Sequence, residues 1–148
     1  MPSEYRTTRR VDFADTDMAG IVHFANFFRY METTEHAFFR SLGRGVHEKS
    51  DGVSIGWPRV QSSCDFFKPI RFEDRIVIRL SIQEIRRRSV RYLYYIFKED
   101  DPGETLVASG RIVTASVRFN PDTGEIESIE IPESLSEKLK AAMDSQES

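Results

Sequence analysis

Two aspartates, Asp15 and Asp17, stand one residue apart ahead of Gly20, and His23 follows just before an aromatic run of Phe24, Phe27, Phe28 and Tyr30. A carboxylate beside the first amides of a helix can attack a carbonyl carbon or take a proton from water. The amides and the helix dipole stabilise an oxygen that gains negative charge. The chemistry these residue types suggest is acyl transfer. Spacing does not separate the two aspartates, and an aspartate near a helix start equally serves as a cap or in an Asx turn. His23 also has two readings: it tunes Asp17 or touches an acyl group, or it caps the helix entry.

The flanking elements must position this loop. Residues 5 to 13 alternate loosely, with Val11 and Phe13 at the end, and read as a first strand. Residues 24 to 42 form the helix: Phe27, Tyr30, Met31, Thr34, Ala37, Phe38 and Leu42 recur at three- and four-residue spacings, and Gly43 and Gly45 stop it. At 1.5 Å per residue such a helix is about 27 Å long, enough to cross several strands. Glu32, Glu35 and Arg29 lie off the centre of the apolar stripe, facing solvent or a cleft.

Everything after Gly52 reads as strand: 53 to 57, 59 to 67, 75 to 84, 89 to 98 and 105 to 119, the last too long for one straight strand and expected to curve or bulge near Gly110. Residues 89 to 98 carry apolar or aromatic side chains on both faces, as a central or interface strand does. Pro102-Gly103 and residues 120 to 124 are turns. Residues 126 to 131 add a short extended piece, a final amphipathic helix is expected over 132 to 143, and residues 144 to 148 are expected to fray. One strand, one long helix, then about four strands is satisfied by a helix packed on a curved antiparallel sheet, an α+β arrangement. Residues 1 to 148 are expected to form a single domain.

The bulk numbers exclude other classes. The 148 residues are 39% hydrophobic and 30% charged, with a net charge of −3. That is a globular balance without the basic footprint of a nucleic-acid binder. Cys64 is the lone cysteine, so no intrachain disulfide forms, which fits a reducing compartment. No secretory signal and no stretch of about 18 apolar residues is present, and a cytoplasmic location is expected. His23, His36 and His47 have no metal-ligand spacing, so no metal is expected, and neither a phosphate-cradling glycine loop nor a nucleophile elbow occurs.

The stretch from Asp15 to Asn26 resembles the signature of the 4-hydroxybenzoyl-CoA thioesterase family, in the branch that includes small acyl-CoA thioesterases associated with the Tol-Pal cluster. Asp15, Asp17, Ala19, Gly20, Ile21, Val22 and Asn26 supply its pattern. The pieces Cys64 to Asp74 and Arg88-Ser89-Val90 are similar as well, so the resemblance covers residues 5 to 119. It implies a hotdog fold, a long central helix wrapped by a curved antiparallel sheet. It also implies hydrolysis of an acyl-CoA to free acid and coenzyme A, which is part of substrate and product rather than a cofactor.

By this resemblance Asp17 is catalytic, as nucleophile or general base, and Asp15 organises the loop. Gly20 admits the thioester, the N–H near Phe24 polarises its carbonyl, His23 contacts substrate, and Phe24, Phe27 and strand aromatics from two chains line the acyl pocket. Glu32 or Glu35 is the alternative catalytic carboxylate, because some related thioesterases place one on the helix. Arg59, Arg87 and Arg88 are the candidates for the nucleotide and pyrophosphate of coenzyme A, against the plainer reading of a solvated basic turn. Sites between subunits imply a homodimer or tetramer. The competing function is a binding protein for acyl-CoA or acyl-carrier protein that does not hydrolyse its ligand.

Overall fold

A computed structural model describes residues 4–50 and 53–147. Ile76, Ile78, Leu80 and Ile82 follow a strict two-residue period, which places them all on one face of a strand. All four are buried in strand β5 (Arg75–Ile85), and each such side chain contributes about 1.5–3 kcal/mol on leaving water. Around β5 an antiparallel sheet assembles in the order β1 (Tyr5–Arg10), β5, β6 (Ser89–Glu99), β7 (Glu104–Ala115), β4 (Arg59–Phe66). The expected doubly apolar strand is β6, which pairs with β5 on one side and β7 on the other.

Helix α1 (Ala25–Ser41) lies across this sheet and buries Phe27, Tyr30, Met31, Thr34, Glu35, Phe38 and Phe39. This is the hotdog arrangement. Met31 rests on Gly110 of β7: a Cβ there would collide with Met31 Cε and stand 2.6 Å from its sulfur. Gly110 is a contact point in regular register with both neighbours, and the irregularity expected near it falls three residues earlier, at Val107, which is passed over between the pairs Ile96–Ala108 and Phe97–Leu106. The long 105–119 strand then breaks at Ser116, whose N–H donates to Arg88 O, and resumes as β8 (Val117–Phe119) in another sheet.

That second sheet, in the order β2 (Glu48–Ser50), β3 (Val53–Gly56), β8, β9 (Ile126–Ser128), was not separable in the sequence from the first. Its strands have three or four residues, too few to establish a period. The C-terminal helix α2 (Glu133–Glu147) runs through most of the segment expected to fray, and Ser148 lies outside the described residues. Leu135 and Leu139 anchor it in the core, and Lys138 Nζ donates to Leu42 O at 2.7 Å, placing a cation on the C-terminal end of α1. Among the described residues no helix is long and apolar enough to cross a membrane.

Candidate active site

The first strand ends at Arg10, earlier than the period suggested, because Phe13–Asp15 coils into a single turn of 3-10 helix. Asp15 is the hub of the loop that leads into α1. Its carbonyl accepts from His23 N at 2.9 Å and from Asn26 Nδ2 at 2.8 Å, and its carboxylate accepts from the Tyr30 hydroxyl at 2.9 Å. The loop between these ties closes on itself. Thr16 and Val22 form an antiparallel bridge, Asp17 N donates to Ile21 O, and Gly20 N donates to Asp17 O. Gly20 has φ +80°, a left-handed conformation that a side chain disfavours, and nothing lies within 4 Å of where its Cβ would be.

Asp17 stands exposed on this loop. Its Oδ1 accepts from Ala19 N at 2.9 Å, so the Asx turn considered from sequence is present. No hydrogen bond to Oδ2 forms among the described residues. His23 caps the helix: its Nδ1 accepts from Ala25 N at 3.1 Å, which assigns the proton of the neutral ring to Nε2, and the ring stacks on Phe24. Asn26 N is taken by His23 O and Phe27 N by Phe24 O. The N–H of Phe24 has no acceptor among the described residues, and it points from the positive end of α1.

Asp17 and Phe24 open on one cavity of about 510 Å³, walled by Ile21, Val22, Phe27, Phe66, Phe67, Lys68, Pro69 and Ile70. Phe27 is buried and meets Phe66 edge-on with ring centres 5.0 Å apart. Phe24 and Phe66 are 64% and 47% exposed, so one side of the cavity is an apolar rim open to solvent. The Phe66–Ile70 wall was not singled out as pocket-lining in the sequence. The one available signal was its place in the second stretch similar to the family.

The other candidates lie elsewhere in the chain. Glu32 and Glu35 sit eight and eleven residues along the helix from Phe24, about 12 and 16 Å at 1.5 Å per residue. Glu35, expected from the stripe to face solvent or a cleft, is instead buried on the sheet side of the helix, because Arg59 of β4 ion-pairs with it there; burial raises its pKa while the guanidinium opposes the shift. Arg59 also donates to Trp57 O at 2.9 Å and lies 3.8 Å from Glu32, so its charge is already partnered. Arg87 and Arg88 occupy the β5–β6 turn, roughly ten strand residues or about 33 Å from the Asp17 end of β5. Arg87 pairs with Glu130, and Arg88 reaches Ser128 at 3.4 Å. A larger groove of about 1000 Å³ runs beside this turn and α2, remote from Asp17.

A family model described as the thioesterase superfamily matches residues 19–105, more than half of the chain. The chain belongs to the thioesterase superfamily. The matched stretch starts two residues after Asp17, and within this superfamily member it contains the helix and the Phe66–Ile70 wall. A protein of Aquifex aeolicus is 33% identical over 120 residues, 77% of this chain and 91% of that protein. A 1,4-dihydroxy-2-naphthoyl-CoA hydrolase of Picosynechococcus sp. is 31% identical over 121 residues, 80% of this chain and 82% of the relative. Among solved structures, a gentisyl-coenzyme A thioesterase superposes with a TM-score of 0.73 at 28% identity, covering 88% of this chain and 98% of that one.

Proposed function

We propose that this thioesterase hydrolyses acyl-CoA with Asp17 as its catalytic carboxylate. The observation that carries the reading is the sharing of one apolar cavity by Asp17 and by Phe24, whose N–H is unpartnered among the described residues. As general base, Asp17 takes a proton from water while the water oxygen bonds to the thioester carbon. The carbonyl oxygen gains charge facing the Phe24 N–H. The C–S bond then breaks, and the coenzyme A sulfur leaves with the electron pair and is protonated. As nucleophile, Asp17 Oδ2 bonds to that carbon instead, expels the thiolate and forms a mixed anhydride that water opens. Either route uses the oxygen not engaged by Ala19.

The relatives' names direct the choice of substrates: 1,4-dihydroxy-2-naphthoyl-CoA and gentisyl-CoA are hydroxyaromatic thioesters. The test is free-thiol release from hydroxyaromatic, short-chain and long-chain acyl-CoAs. Asp17→Asn is expected to lower kcat by about 10²- to 10⁴-fold. Undiminished hydrolysis in Asp17→Asn removes the assignment and returns attention to Glu32 and Glu35. Ligand binding without turnover on every thioester favours the binding-protein reading.

The open rim supports a homodimer, with a second copy covering it. Strand β4 is the sheet's last strand, almost wholly exposed, and carries Val60 and Phe66 as exposed apolar residues. A bare apolar edge of this kind pairs with another strand. Two-fold antiparallel pairing of β4 centred on Ser63 sets Val60 opposite the partner's Phe66, and Gln61 opposite the partner's Asp65. The same pairing brings the partner's Arg59 alongside the Asp17 cavity. Arg87 and Arg88, remote from their own Asp17, then suit coenzyme A bound in another subunit's site, which asks for a tetramer. The lone Cys64 fits a cytoplasmic location, and we treat residues 1 to 148 as one domain.

A further inference from the structure

Tyr30 is an apolar stripe residue by spacing, 1% exposed beneath the loop, yet its hydroxyl is not idle. It donates to Asp15 Oδ2, the same oxygen that accepts from Asp12 N at 3.0 Å. The Arg9 guanidinium stands 4.6 Å over the Tyr30 ring and 3.9 Å from that oxygen, so the carboxylate has a cation beside it. Burial and the adjacent Asp15 charge push the phenol pKa up, which keeps the hydroxyl a donor throughout the working pH range. The Asp15 main chain, meanwhile, receives His23 N and Asn26 Nδ2.

These bonds meet at the root of the hairpin formed by residues 16 to 22. Asp17 lies two residues beyond Asp15 on one side of the root, and Phe24 lies one residue beyond His23 on the other. The groups assigned to the reaction therefore hang from the two halves of one clamp, and the Tyr30–Asp15 bond ties that clamp to a helix locked in the core. We propose that Tyr30 is a positioning residue: through Asp15 it sets the spacing between the Asp17 carboxylate and the Phe24 N–H. This rests on the assignment of Asp17 as catalytic. Misplacement by about 1 Å can cost ~100-fold in rate, so a modest shift of the root is enough to register.

The experiment measures kcat and KM on the best acyl-CoA substrate for Tyr30→Phe, Asp15→Asn, Asp15→Ala, the Tyr30→Phe/Asp15→Ala double variant and Asp17→Asn, each with its thermal unfolding curve. Tyr30→Phe removes one oxygen and preserves the packing. It is expected to lower kcat about 10-fold with KM within about twofold. Asp15→Asn retains an acceptor for the phenol and is expected to keep most of the rate. Asp15→Ala is expected to lose it, and the double variant to fall no further than Asp15→Ala. Wild-type kcat in folded Tyr30→Phe, with Asp17→Asn inactive, overturns the latch while leaving Asp17 in place. Full activity in Asp17→Asn overturns both. Should Tyr30→Phe fail to fold, equal rates in Asp15→Asn and Asp15→Ala overturn the proposal, and a selective loss in Asp15→Ala supports it.

Discussion

Glu35 is the most consequential buried charge in the core, at 1% exposure, and its stability depends on Arg59. Removing one member of such a pair leaves the other unpaired in a low-dielectric setting, which typically costs about 3–5 kcal/mol. Arg59→Met is therefore expected to lower unfolding stability by about 3 kcal/mol at neutral pH, read by denaturant titration. The pH sign comes from the raised pKa of Glu35. The folded protein holds its proton at pH values where the unfolded chain has released it, so stability falls as pH rises above the unfolded value. Arg59→Met takes away the opposing cation and steepens this fall. Its deficit is expected to shrink between pH 8 and pH 5, and a deficit independent of pH would show that Glu35 is not the group responsible.

One point where α1 meets the sheet is Gly110 of β7. Gly110 leaves room for Met31, which is fully buried, and a methyl group at this position must displace the end of that side chain. Gly110→Ala is expected to cost about 1–3 kcal/mol in unfolding stability, as overpacking does. A Gly110→Ala/Met31→Val double variant is expected to recover part of that loss, which calorimetric or denaturant unfolding can read. No recovery would place the strain in the strand backbone instead. The glycine was visible in the sequence, but its meaning was not. A bulge and a close approach both ask for glycine, and only the helix lying over it separates the two.

At the scale of the molecule, the proposed seam along β4 is open to a direct check. Directly opposed residues in an antiparallel pair have Cα atoms about 4.5–5.5 Å apart, within the span of a disulfide. Ser63→Cys in a Cys64→Ser background is expected to give a covalent dimer under mild oxidation if Ser63 sits on the two-fold axis. Ser62→Cys in its place would report a two-fold axis moved by one residue, which is a register shift of two. Absence of cross-linking from residues 61 to 65, with a monomer by sedimentation, would remove the homodimer. Substituting Arg87 and Arg88 together by glutamine is expected to raise KM for acyl-CoA with little change in kcat, since phosphate contacts remote from the reacting carbon bind substrate and transition state alike.

Strand parity, the amphipathic helix and the polar loop ahead of it are properties of neighbours in the chain, and the sequence alone placed all three. The period of Ile76 to Ile82 allows one buried face, and the stripe from Phe27 to Phe38 allows one helix orientation. An Asx turn at one of the two aspartates and a helix-entry bond from His23 were among the readings the sequence offered, because caps and Asx turns are local chemistry; which aspartate makes the turn, Asp17, was not. The tertiary structure decided what lies far apart along the chain. It took Arg59 out of the pool of free cations by setting it against Glu35, and it put Phe66 and Phe67 beside Asp17. It also sent the arginine turn to the far end of the sheet. Such placements depend on register and on where the helix crosses the sheet, which are fixed by cooperative packing of the whole core rather than by any local pattern.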